Sequence, residues 1–385
     1  MHLFQKKFAH LMRPPKFRLP RIDLGQNDAQ NSRLREVHAF GSNPGALRLL
    51  CHVPEGLSPG RSLVVVLHGC TQTAAGYDHG TGWSTLADRY GFALLMPQQQ
   101  RANNPNGCFN WFQPSDMKRD QGEARSIREM IERMVIDHDI DRHRIFITGL
   151  SAGGAMTSVM LATYPEVFAG GAIIAGLPYG AAKNVPEALA SMKQSPIRTP
   201  QAWGDIVRGA SSHTGPWPRV SVWHGAADHT VTPSSASEIV KQWSDVHGLT
   251  FSDTRTETVN GFPREVWHNA AGDDVIESYS ITSMAHGTPL ATGNGADQGG
   301  TAGAFLLDVG ISSTYHIAKF WGLSEDPHAR ATAEAQPSAP RAAKPASDYP
   351  PNKPEAEGGD VQGLGTDVRA IITRALTAAG LMKGP

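Results

Sequence analysis

Cysteine is scarce: Cys51, Cys70 and Cys108 are the only three in 385 residues. That number cannot staple a miniature disulfide fold, and none of the three stands beside histidine at zinc-finger spacing. No metal or organic cofactor is expected. An excess of one charge is equally lacking, with 35 basic against 36 acidic side chains. A chain built to coat nucleic acid would carry a net basic footprint, so no nucleic-acid partner is expected. No stretch approaches the ~20 apolar residues of a membrane-spanning helix. Nor is there a secretory apolar segment, because Met1 to Met12 is interrupted by Gln5, Lys6, Lys7 and His10. These two absences make a cytoplasmic location the default expectation. What is present, a hydrophobic fraction of 40 %, is enough for a sizeable core.

The two ends differ from the body. Residues 1–35 hold eight basic side chains against Asp23 and Asp28, and Pro14, Pro15 and Pro20 interrupt any helix there. They read as a solvated basic arm. Residues 324–360 contain seven prolines and a single large apolar residue, Tyr349, which predicts a disordered linker. Beyond it, in 361–385, Leu364, Val368, Ile371, Ile372, Ala375, Leu376 and Ala379 recur at helical spacing. One such C-terminal helix cannot fold alone. Self-association or contact with a hydrophobic surface is its expected use.

Between these ends, residues 36–323 alternate apolar β-branched runs with helical patterns. Leu63–Leu67, Phe92–Met96, Arg144–Thr148, Gly171–Ala175 and Val220–Trp223 read as buried strands. Trp83–Tyr90, Gln121–Asp137 and Gly153–Thr163 read as the helices between them. The alternation predicts an α/β domain, a mostly parallel sheet with helices on both faces. Ala46–Val53 is expected as its antiparallel edge. Glu257–His268 and Asp274–Thr282 are expected as two late strands about a turn at Ala271–Gly272.

One strand-to-helix junction carries chemistry. Arg144–Thr148 runs directly into Gly149-Leu150-Ser151-Ala152-Gly153, and a helical pattern follows. A Gly-x-Ser-x-Gly in that setting is a nucleophile elbow, as in the α/β-hydrolase fold, with Ser151 lifted above the sheet edge. Such a serine needs a base, and the base an orienting carboxylate. Asp228 follows the strand ending at Trp223 and so hangs off the same edge. Asp205, Asp245, Asp273 and Asp274 compete but sit in helical or turn patterns. His286 lies in a loop just past a later strand, with His224, His229 and His268 as alternatives. The backbone N–H groups of Ala152 and Cys70, the latter after the tight His68-Gly69 turn, are the expected oxyanion donors.

The phrases LHGCTQTAAGYDHGTGWSTLADRYGFALLMPQQ, NPNGCFNWF, GLSAGG, WHGAADHTV and MAHGTP together resemble the esterase family of poly(3-hydroxybutyrate) depolymerases, over roughly residues 35–322. The resemblance implies hydrolysis of short-chain hydroxyalkanoate-type esters by Ser151, Asp228 and His286. It also implies a small aromatic-lined binding face, for which Trp111 and Phe112 are candidates; core packing is the competing reading of both. Cys70 and Cys108 are implied as a disulfide pair bracing the cleft, with reduced thiols as the alternative and Cys51 a buried strand residue. Secreted members add an export signal and a polymer-binding module. The lack of both here points to soluble oligomers or small esters, although the family likeness leaves an extracellular site open. Feruloyl and acetylxylan esterases share the elbow and are the second reading. A non-catalytic binding protein on the same fold is the third.

Overall fold

The computed structural model describes residues 32–250 and 254–324. The basic arm up to residue 31, the linker beyond Ser324 and the C-terminal helix expected in 361–385 lie outside the described residues.

The apolar runs assemble into one sheet. Its strands are β1 (Arg35–Val37), β2 (Arg48–His52), β3 (Leu63–Leu67), β4 (Ala93–Gln98), β5 (Ile145–Leu150), β6 (Gly170–Ile174), β7 (Arg219–Gly225), β8 (Thr254–Val259), β9 (Phe262–His268) and β10 (Asp274–Ile281). Their spatial order is β1-β2-β4-β3-β5-β6-β7-β10-β9-β8. The stretch from β4 to β10 is parallel throughout. Antiparallel strands extend it at both sides. The fold is that of the α/β-hydrolases.

Strand β3 shows why the central runs read as unbroken apolar sequence. Leu63, Val65 and Leu67 pack into one core layer, Val64 and Val66 into the other, and all five are fully buried. A strand covered on both faces has no polar side to alternate with. Helices α1 (Ala74–Thr81) and α2 (Trp83–Tyr90) cover one face. On the other lie α3 (Gly122–His138), α4 (Ala152–Thr163), α5 (Val185–Lys193), α6 (Pro200–Arg208) and α7 (Ser234–Val246), while α8 (Ser313–Phe320) returns to the first. Among the described residues, no helix is long and apolar enough to cross a membrane.

Three details depart from the sequence reading. Glu257–His268 is not one strand: it breaks at Asn260–Gly261, whose φ values of +50° and +83° make a two-residue hairpin between β8 and β9. Both central residues of such a turn need positive φ, which Asn-Gly supplies. The antiparallel strand at Ala46–Val53 forms as β2 but is not the edge, because β1 pairs outside it. Since β1 begins at Arg35, and Arg33 already pairs with Asp88, the folded body starts before the boundary drawn from charge at residue 36.

Candidate active site

Strands β5, β7 and β10 run parallel in one block of the sheet, with β6 between the first two, so the loops after them emerge on one edge. Those loops carry Ser151, Asp228 and His286. The Ser151 hydroxyl oxygen lies 2.9 Å from His286 Nε2, and His286 Nδ1 lies 2.7 Å from Asp228 Oδ2. Nδ1–H donating to the carboxylate leaves Nε2 bare to accept the serine proton, a tautomer fixed by the neighbours.

Ser151 occupies a conformation that L-residues avoid, φ +58° and ψ −116°. It is held there because its N–H donates to the Ile174 carbonyl at 2.9 Å and its own carbonyl accepts from Ala155 N at 2.8 Å. Strain of this kind persists only where the surroundings impose it. The flanking glycines are a packing requirement. A Cβ on Gly149 would run into the Gly153 carbonyl, and one on Gly153 into the Leu67 carbonyl.

Asp228 is buried, and burial by itself raises a carboxyl pKa. Hydrogen bonds from His224 and His286, with the attraction of both rings, outweigh that and hold it well below the usual carboxylate range. Its Oδ1 also accepts the Thr230 and Val231 N–H groups at 2.8 and 2.9 Å. His224, an alternative base in the sequence, sits on the far side of this carboxylate. Its Nε2 is 3.0 Å from the Val231 carbonyl and 3.4 Å from Asp228 Oδ2, so it braces the acid's loop. His229 is exposed, and His268 ends β9 on the antiparallel flank. The competing acids are engaged elsewhere: Asp205 and Asp245 with Arg208, Asp274 with Arg255, and Asp273 with Asn269 in a turn.

Opposite Ser151 lies the loop after β3. Gly69 N–H donates to Gln72 Oε1 at 2.8 Å and Thr71 N–H to the Asn106 carbonyl at 2.7 Å. Between them, the Cys70 N–H has no protein acceptor among the described residues, and neither has the Ala152 N–H at the first turn of α4. Both residues line the cleft beside Ser151.

Cys70 and Cys108 are joined by a disulfide across 38 residues of chain. Closing a loop of that length is worth about 3–4 kcal/mol if the effect lies in the unfolded chain. Cys108→Ser should therefore lower unfolding free energy by about that amount in urea titrations; a change below ~0.5 kcal/mol would mean that the loops are held without the bond. Cys51 is free and buried in β2.

Trp111 belongs both to the core and to the cleft lining. It is only 6 % exposed and packs in the core, yet it lines the cleft together with half-buried Phe112. The two rings meet edge to face, centroids 5.4 Å apart.

The cleft has a volume of about 120 Å³. One wall escaped the sequence reading. Val185, Leu189 and Met192 of α5, spaced to share one helical face, close it with apolar surface. The signal was present: Asn184 caps the Glu187 N–H at 2.9 Å, and Glu187 reaches back to Lys183 N at 2.9 Å, with Pro186 in the first turn. A second omission lies beneath the cleft. Glu123, at the start of α3, is fully buried, and burial pushes its carboxyl up to about 8 against the pull of hydrogen bonds from Asn110 and Gln99.

Known proteins resemble this chain. A family model described as esterase PHB depolymerase covers residues 49–266. A poly(3-hydroxyalkanoate) depolymerase C of Paucimonas lemoignei is 49 % identical over 291 residues, 75 % of this chain and 70 % of that protein. A feruloyl esterase B of Neurospora crassa is 33 % identical over 300 residues, 75 % of this chain and 92 % of that one. Among solved structures, an acetyl xylan esterase from Aspergillus awamori superposes with a TM-score of 0.64 at 27 % identity, covering 75 % of this chain and 99 % of its own. With a family model spanning more than half of its length and a relative at 49 % identity, the chain belongs to the PHB depolymerase esterase family.

Proposed function

We propose that this protein is a serine esterase that cleaves short hydroxyalkanoate-type esters through an acyl-enzyme on Ser151. The observation carrying this is the unbroken line Ser151–His286–Asp228, 2.9 and 2.7 Å, at the mouth of a small apolar cleft. His286 takes the Ser151 proton as the oxygen attacks the ester carbonyl, and Asp228 stabilises the resulting imidazolium. The Cys70 and Ala152 N–H groups receive the carbonyl oxygen as it becomes negative. His286 then protonates the departing alcohol. In the second half it activates a water that releases the acid and frees Ser151.

The relative's name, a poly(3-hydroxyalkanoate) depolymerase, supports a hydroxyacyl substrate. The short space closed by Val185, Leu189 and Met192 supports a brief acyl unit. The Cys70–Cys108 bond is of the kind that persists outside a reducing cytoplasm, which supports an extracytoplasmic place of work. The test is a panel of 3-hydroxybutyrate oligomers, p-nitrophenyl esters of increasing chain length, methyl ferulate and acetylated xylan. Hydroxybutyrate oligomers should give the highest kcat/KM, and p-nitrophenyl butyrate should exceed the octanoate by roughly tenfold or more. Leu189→Ala should narrow that gap. Preference for methyl ferulate or acetylated xylan would move the protein to the carbohydrate-esterase branch.

A further inference from the structure

Glu123 makes no contact with the Ser151 hydroxyl, yet its carboxyl is the origin of a directional chain that ends at the oxyanion loop. Two donors of Asn110 turn toward it, the backbone N–H to Oε2 at 2.8 Å and the side-chain Nδ2 to Oε1 at 2.8 Å. With its amide nitrogen so committed, Asn110 presents Oδ1 the other way, where Asn104 Nδ2 donates at 3.0 Å. Asn104 must then show its own oxygen to Asn106 N, at 3.0 Å. The Asn106 carbonyl finally accepts from Thr71 N at 2.7 Å. Thr71 stands at φ +65°, directly after Cys70.

An amide has one accepting and one donating end, so a chain of them has two possible directions. The two ends select the same one: the Asn106 N–H is a fixed donor at one end, and Glu123 Oε1 is the acceptor at the other. Oε1 of Glu123 accepts in either protonation state, because a proton on Oε2 leaves Oε1 a carbonyl oxygen. Gln99 adds to the same selection: its Nε2 donates to Glu123 Oε1 at 2.5 Å and to the Cys108 carbonyl at 3.0 Å. Its backbone N–H meets His68 Nε2 at 3.2 Å, and His68 Nδ1 lies 2.8 Å from the Gly69 carbonyl. One buried carboxyl thus anchors the chain that reaches Thr71 and also holds the side chain of Gln99, whose backbone contacts the His68–Gly69 turn.

We propose that Glu123 is a positioning residue for ester hydrolysis, anchoring the accepting end of the Asn110–Asn104–Asn106 hydrogen-bond chain that holds the Cys70 N–H toward the developing oxyanion. The proposal rests on reading Cys70 N–H as an oxyanion donor. Its consequence is selective. A misaligned donor weakens the transition state more than the bound ester, so kcat should fall while KM changes little.

The test uses Glu123→Met, similar in length but without oxygen, Glu123→Gln, which keeps one accepting oxygen, and Asn110→Ala. Steady-state kinetics on p-nitrophenyl butyrate are paired with the affinity for butylboronic acid, whose tetrahedral adduct on serine places an oxygen in the oxyanion site. Glu123→Met should lose roughly 10- to 100-fold in kcat with KM within about twofold, and boronate affinity should fall in parallel. Glu123→Gln should lose less. Asn110→Ala should move the same quantities, and the Glu123→Met/Asn110→Ala pair should be no worse than the poorer single variant. Unchanged kcat, a change in KM alone, unaltered boronate affinity or multiplicative losses would each overturn the relay. Should Glu123→Met fail to fold, Asn110→Ala answers the kinetic and boronate questions by itself. A wild-type protein that neither turns over ester nor binds boronate would count against the esterase reading. A fully active wild type matched by its variants would count against the relay alone.

Discussion

Ser151→Ala should abolish ester turnover, lowering kcat by about 10⁵- to 10⁶-fold, the loss expected when a serine nucleophile is removed from a working unit. Among the described residues, Ser151 Oγ is the side-chain partner hydrogen-bonded to His286 Nε2, at 2.9 Å. The fold should be spared. Ser151 is half-buried, and its side chain makes no cap bond to α4, so the backbone contacts to Ile174 and Ala155 survive the change. Stability should stay within about 1 kcal/mol of wild type. Two measurements decide it: hydrolysis of p-nitrophenyl butyrate, and mass spectrometry after reaction with a fluorophosphonate. Wild type should carry the label on the peptide containing Ser151, and the variant should carry none. Residual activity within tenfold, or a label on another serine, would remove Ser151 from the mechanism.

The sequence is most transparent where local chemistry and tertiary demand coincide. Helix α2 was legible to the residue because Gly82 and Gly91, at φ +75° and +69°, bound it on both sides. The elbow was legible because Gly149 and Gly153 stand where no Cβ fits. The order Ser151, Asp228, His286 could be read because the strands preceding those loops are parallel and must share an edge. The β8–β9 hairpin was missed although its Asn260–Gly261 turn signal is present, because the segments on either side of it were read as one strand. Glu123 was invisible for a different reason. An acidic residue in the first turn of an amphipathic helix is ordinarily solvated, and its burial depends on Gln99 and Asn110, which lie 24 and 13 residues away. Trp111 shows that core and cleft are not exclusive categories, because it packs in the core and also lines the cleft.

Asp228→Asn should cost about 10⁴-fold in kcat at neutral pH while leaving the loop in place. Asparagine keeps an oxygen to accept the Thr230 and Val231 N–H groups, which now bond to Asp228 Oδ1 at 2.8 and 2.9 Å. Its other end becomes an NH₂ facing His286 Nδ1, where a carboxylate oxygen stood at 2.7 Å. Two donors cannot share that line, so His286 must carry its proton on Nε2 and can no longer accept from Ser151. Acid stability should change as well. In wild type the Asp228 pKa is depressed in the fold, so its contribution is present above the unfolded value of about 3.9 and is lost as pH falls through the folded one. Acid unfolding should therefore be less steep in Asp228→Asn than in wild type below about pH 4. Asp245→Asn, on the Arg208 ion pair, serves as the control and should hold kcat within about twofold, as for a surface pair. Equal losses from the two substitutions, or a slow Asp228→Asn variant whose His286 still carries its proton on Nδ1 by NMR, would mean that the carboxylate does not act by fixing the tautomer.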